Sequence, residues 1–154
     1  MKAVLVLLAA CTLANGAVRI KNCGTGSSAV VDFSKLQITG CNEGGSKCIF
    51  RKGRNASISL PFTPKAEVLS VTAKVEGILG PIPVPFQLDN PNGCVNSGLQ
   101  CPLQANQLST YTSAIEVKNA YPSISLKVRW QLLDEHNNKI VCLEIPVKIE
   151  RSRN

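Results

Sequence analysis

The side chains that could do chemistry are few, and their spacing points away from catalysis. The sequence holds one histidine, His136, inside the charged stretch Asp134-Glu135-His136-Asn137-Asn138-Lys139. Adjacent carboxylates such as Asp134 and Glu135 face opposite ways on a strand and are simply hydrated in a turn. No pair of acids or bases is therefore placed for proton transfer, and no nucleophile has a base beside it. No glycine-rich phosphate loop follows a strand, so no cofactor is expected and the chain is read as a non-enzyme.

Cysteine is the other reactive type. There are 7, and Cys11 lies in an apolar N-terminal run. The others are Cys23, Cys41, Cys48, Cys94, Cys101 and Cys142. An even set in a secreted chain reads as a disulfide framework, with several connectivities open in principle. Cys41-Asn-Glu-Gly-Gly-Ser-Lys-Cys48 and Cys94-Val-Asn-Ser-Gly-Leu-Gln-Cys101 can each close a short, turn-rich loop, which leaves Cys23 to reach Cys142. Zinc is the alternative use of such a set, but the spacings are wrong and His136 is far from every cysteine, so no metal is expected.

The N-terminus supplies the compartment. Met1-Lys2, the apolar run Ala3 to Leu13, and the small residues Ala14-Asn15-Gly16 match a secretory leader, with residues 1–16 as the signal peptide and 17–154 as one domain. Leu8-Ala9-Ala10-Cys11 also has the form of a bacterial lipobox, the competing reading. No later stretch is long and apolar enough to span a bilayer. The expected destination is extracellular, with the lysosomal lumen as the alternative.

Net charge is +7, and losing Lys2 with the leader leaves 16 basic against 10 acidic residues, or +6. The basic residues are scattered, which favours a solvated surface and docking on anionic membranes. Nucleic acid is excluded as a partner, because no basic-aromatic platform is present.

The elements that must carry these residues are strands. Ile58, Leu60 and Phe62 alternate with Ser57, Ser59 and Pro61, and Val71, Ala73 and Val75 with Thr72, Lys74 and Glu76. Ile124, Leu126, Val128, Trp130 and Leu132 alternate with polar residues, as do Val141, Leu143, Ile145, Val147 and Ile149 with Cys142, Glu144, Pro146, Lys148 and Glu150. Period two puts one apolar face inward. Weaker strands are predicted near 18–23, 29–38, 48–53, 83–88 and 110–118, and the Asp134–Lys139 turn predicts an antiparallel hairpin. Seven to nine short strands without a helix point to an all-β two-sheet sandwich. Asn55-Ala56-Ser57 is a glycosylation sequon, expected on a sheet edge.

One segment stands apart: Gly77-Ile78-Leu79-Gly80-Pro81-Ile82-Pro83-Val84-Pro85-Phe86. It is apolar, yet its prolines forbid a central strand or a helix. It belongs at a sheet edge or at the mouth of a cavity.

The order Cys23-Gly24, Cys41…Cys48, Lys52-Gly53, Gly77-Ile78-Leu79, Val84-Pro85-Phe86, Cys94…Cys101-Pro102, Tyr121-Pro122-Ser123-Ile124, Trp130-Gln131-Leu132 and Ile145-Pro146-Val147 resembles the lipid-recognition (ML) domain family. Within it the likeness is to the soluble Niemann–Pick type C sterol carriers, arthropod paralogues included, over essentially the whole mature chain. The resemblance implies an immunoglobulin-like sandwich with an internal hydrophobic pocket, and the pairings Cys23–Cys142, Cys41–Cys48 and Cys94–Cys101. It implies that Phe86, Val117 and Tyr121, with Pro122 beside them, gate the pocket. Ile38, Ile58, Leu60, Val75, Val84, Tyr111, Ile124, Leu126, Val128 and Trp130 match wall positions. Pro81 replaces a family glycine and Leu143 a tryptophan, Phe50 replaces a leucine, and the Cys94–Cys101 loop is one residue longer. The tryptophan exchange reshapes the cavity and leaves fatty acids open beside sterols.

The expected function is thus a secreted, monomeric carrier of one sterol or fatty acid, serving a membrane or a lipid-accepting receptor. The competing readings are an innate-immune protein of the same fold that recognises bacterial lipid, and an adhesion module with a filled core.

Overall fold

The computed structural model describes residues 17–24 and 28–153. The expected leader, residues 1–16, lies outside the described residues. Ten strands are described: β1 (Lys21–Asn22), β2 (Ala29–Val31), β3 (Gln37–Ile38), β4 (Cys48–Arg51), β5 (Asn55–Pro64), β6 (Thr72–Leu79), β7 (Ile82–Phe86), β8 (Ser109–Glu116), β9 (Ser125–Leu133) and β10 (Lys139–Glu150). No helix occurs among the described residues. The count exceeds the predicted seven to nine because the expected strand near 29–38 is two short pieces, with Asp32–Lys35 turning between them.

The larger sheet runs β1-β10-β9-β6-β7, with β4 parallel to the far end of β10. The smaller has β5 inside, β8 on one flank and β2 and β3 on the other. The β9–β10 hairpin forms where the charged turn places it. The Asp134 carboxylate accepts the N–H groups of His136 and Asn138, both at 2.9 Å, and Asn137 takes a positive φ of 62°. The register then slips between Lys139 and Val141, leaving Ile140 as a buried bulge residue.

The alternating apolar residues meet between the sheets. Ala56, Ile58, Leu60 and Phe62 of β5 face Val75 of β6, Val128, Trp130 and Leu132 of β9, and Leu143, Ile145 and Val147 of β10, all buried. Each large aliphatic or aromatic side chain so buried contributes about 1.5–3 kcal/mol. Alternation fails where something covers the outer face. Gln131 is buried beside Cys142, its register partner, and donates Nε2 to Glu76 Oε1 at 3.4 Å. Sequon residue Asn55 opens β5 with its side chain exposed, at a point where β5 is paired on one side only. Its chain is paired to Glu116 of β8.

Three disulfides pin the sandwich: Cys23–Cys142, Cys41–Cys48 and Cys94–Cys101, with sequence separations of 119, 7 and 7. The proline-rich segment becomes β7, an edge strand paired only with β6. Pro83 and Pro85 lack N–H donors, which an edge strand tolerates and a central one does not. Gly80 begins the two-residue turn between Leu79 and Ile82 at a φ of 59°, the positive value a tight hairpin requires.

Candidate functional site

A cavity of about 290 Å³ opens at one end of the sandwich. One wall is the larger sheet: Gly77 and Leu79 of β6, Val84 and Phe86 of β7, Leu126 of β9 and Ile149 of β10, with Pro85 of β7 at the edge. The other wall is the β8–β9 connection, with Lys118, Tyr121, Pro122 and Ile124.

That connection is fastened at both ends. Val117 N–H donates to Arg54 O at 2.9 Å, and Val117 O accepts Gly53 N–H at 2.6 Å. Ile149 N–H donates to Ile124 O at 2.9 Å. Tyr121 N–H closes a turn onto Lys118 O at 3.1 Å. Pro122 holds Tyr121 extended, and its ring meets Phe86 edge to face, centroids 5.6 Å apart at 77°. That geometry suits aromatic quadrupoles. Both rings are half-buried, so the pair closes the cavity while remaining at its rim.

Gly77 gives the cavity its space. It occupies the inner cross-strand row Val84–Gly77–Val128–Ile145, where every neighbour is a branched aliphatic. A Cβ there would lie 3.0 Å from both Leu126 Cδ1 and Phe86 Cε2. The absent side chain is what keeps room behind the Phe86 ring.

Six of the predicted lipid-site residues line this cavity: Val84, Phe86, Tyr121, Pro122, Ile124 and Leu126. Val117 is buried and outside the lining, so the gate residues that meet are Phe86 and Tyr121, and they touch each other. Leu60, Val75, Tyr111, Val128 and Trp130 are packed in the core beyond the cavity. Phe86, Val75, Trp130 and Leu143 share one cross-strand row, which places Trp130 two strands from Phe86. Ile38 and Ile58 are buried in the core, beneath surface clefts around β3 and β5. Sequence reasoning missed Gly77, Leu79, Pro85, Gln87, Lys118 and Ile149. Leu79 and Pro85 fall in the singled-out apolar segment, and Ile149 ends a recognised alternating strand. Gly77 has no side chain to signal, and Gln87 and Lys118 are loop residues next to strand ends.

Two polar atoms are stranded in the core. Tyr111 on β8 and Trp130 on β9 face each other across the sheets, rings at 68° and centroids 6.3 Å apart. The Tyr111 hydroxyl and Trp130 Nε1 are buried, and neither makes a hydrogen bond of full geometry, although Ser113 and the indole lie close enough to the phenol to interact with it. Burial pushes the Tyr111 phenol up, and the nearby Ser113 hydroxyl and Trp130 indole pull it only part of the way back. A buried polar group left unpaired costs about 1–3 kcal/mol. Tyr111→Phe keeps the ring and removes the orphan hydroxyl, so urea unfolding should show a gain of about 1 kcal/mol. A loss instead would mean that the hydroxyl is bonded.

The groups that could catalyse sit elsewhere and are structurally occupied. Glu135 accepts a hydrogen bond from its own backbone N–H, and further ones from Leu69 and Ser70; together these hold its carboxyl below the usual carboxylate range. His136 is exposed beside it. Among the described residues no cluster of three His, Cys, Asp or Glu side chains could hold a metal.

A two-sheet sandwich with a largely apolar cavity at one end is the architecture of a lipid-binding module. The family model for the ML domain matches residues 17–149, and the chain belongs to that family. It is 35% identical over 145 residues to NPC intracellular cholesterol transporter 2 homolog a of Drosophila melanogaster, covering 94% of this chain and 96% of that one. It is 39% identical over 135 residues to NPC intracellular cholesterol transporter 2 of Canis lupus familiaris, covering 88% and 87%. Among solved structures, a Niemann-Pick type C2 protein from Japanese carpenter ant superimposes with a TM-score of 0.76 at 34% identity, covering 86% of this chain and 99% of that one.

Proposed function

We propose that this chain is a secreted lipid carrier that holds one sterol or fatty acid, tail inward, and performs no chemistry on it. The observation that carries this reading is the apolar cavity closed by the Phe86–Tyr121 ring pair. Membership of a family whose relatives are named as cholesterol transporters supports it.

At about 290 Å³ the cavity lies just under the ~300–1,000 Å³ usual for ligand sites. A rigid sterol therefore enters by swinging Phe86 and Tyr121 aside and parting the sheets. Val84, Pro122, Ile124 and Leu126 form the near wall. Val117, Val75, Tyr111, Val128, Trp130, Leu60, Ile58 and Ile38 become wall only as the core opens. Burying roughly 400 Å² of ligand apolar surface is worth about 10 kcal/mol. Association costs of roughly 4–15 kcal/mol offset much of that. Binding is then tight but exchangeable, as transfer between membranes needs.

Leu79, Ile82 and Val84 are exposed around the mouth. With the net positive charge, they favour docking the mouth on an anionic membrane or a lipid-accepting receptor. The three disulfides suit an oxidising compartment, and exposed Asn55 is accessible for a glycan.

Phe86→Ala tests the site. Lipid affinity should fall at least tenfold, about 1.4 kcal/mol. The melting temperature should fall by less than a fully buried Phe→Ala change would produce, which costs about 3–5 kcal/mol. Lost stability with affinity intact would make Phe86 core packing and remove the cavity from the function. Native mass spectrometry of the purified protein should find one lipid per chain.

A further inference from the structure

Among the described residues lining the cavity, Lys118 is the one charged group, and the lipid site set out so far makes no use of it. Apart from Gln87 and the phenol of Tyr121, the rest of the lining is apolar. The chain at Lys118 is held firmly. Its carbonyl accepts the Tyr121 N–H, and the preceding Val117 is bonded through both N–H and C=O to the turn before β5. The backbone at Lys118 is thus fixed within a turn of the Phe86–Tyr121 gate, with the residue itself exposed at the mouth.

Four cations, Arg51, Lys74, Arg129 and Lys148, pair with a carboxylate; what sets Lys118 apart from the remaining surface cations is its place on the cavity lining. No ion pair involves Lys118 among the described residues. Yet Asp89 and Glu116 line the smaller cleft on the other side of the gate, which Lys118 also borders. Without its ammonium, the mouth would carry two nearby carboxylates and no cation to offset them.

We propose that Lys118 selects ligands by head-group charge, so that the site takes a long-chain carboxylate with its tail in the cavity and its head on the ammonium. A flexible acyl chain follows a cavity of about 290 Å³ without the wall displacement that a rigid ring system demands. The apolar surroundings exclude water from one side of the ion pair and strengthen it over a fully exposed one. This deepens the carrier reading and rests on it.

Oleate and its uncharged methyl ester, each displacing a fluorescent probe from wild-type protein, Lys118→Met and Lys118→Arg, separate the two ideas. Lys118→Met keeps an apolar stem of similar length and should weaken oleate about five- to tenfold while leaving methyl oleate unchanged. Lys118→Arg should retain oleate binding. Raising salt from about 0.02 to about 0.5 M should weaken oleate and spare the ester. Equal losses for the two ligands in Lys118→Met, or no loss for either, overturn the head-group role and leave the carrier standing. If wild-type protein binds neither ligand and no sterol, both readings fall together.

Discussion

Protein carrying Cys23→Ser with Cys142→Ser is expected to lose about 5 kcal/mol of stability to guanidinium unfolding, and each short-loop pair only about 2.4 kcal/mol. The contrast follows from loop length. Cys23–Cys142 closes 119 residues, whereas Cys41–Cys48 and Cys94–Cys101 each close 7. In the chain-entropy account a cross-link stabilises by restricting the unfolded chain, and the restriction grows with the logarithm of the loop. The long bridge also fastens β1, only two residues long, to β10 beside the buried Gln131–Glu76 pair. Net stabilities of domains are about 5–15 kcal/mol, so the double variant should sit near the edge of folding. Equal losses for the three pairs would show that native contacts at each bridge, rather than loop length, decide the effect.

The sheets were legible because their strands are long enough to display period two. β5, β6, β9 and β10 lie where alternation put them, and the charged run Asp134–Lys139 could only be a turn. β1 and β3 are two residues each and β2 three, too short for any periodicity, and they exist because β10 and β5 offer them partners. The cavity was half legible. Prolines at 81, 83 and 85 announced an edge strand, and Phe86 at its end is where the cavity closes. Lys118 was hidden because a charged residue after a strand reads as solvated, and only the fold shows that it borders an apolar space. The Tyr111–Trp130 pair was hidden for another reason: alternation predicts that a ring points inward, never whether its polar atom finds a partner. Gly77 was read as part of an apolar segment, though its contribution is to leave that face empty.

Filling that space should abolish function with little harm to the fold. Gly77→Val places a branched side chain in the row Val84–Gly77–Val128–Ile145, pointing between the sheets. The atoms nearest its Cβ are the ends of Leu126 and Phe86, each at 3.0 Å, so these must give by a few tenths of an ångström. Phe86 is half-buried at the rim and can do so. Valine suits a strand better than glycine, which loses more backbone entropy on folding. The two effects oppose each other, and stability should change by less than about 1.5 kcal/mol. The added methyls, however, take up the space behind the Phe86 ring that a lipid tail would fill. Affinity for a sterol or fatty acid should fall more than tenfold, over about 1.4 kcal/mol. Gly77→Ala should show an intermediate loss, since its Cβ narrows the cavity without crossing it. Unchanged lipid binding in Gly77→Val would mean that the ligand enters elsewhere between the sheets, and that the cavity behind Phe86 is a packing defect rather than its seat.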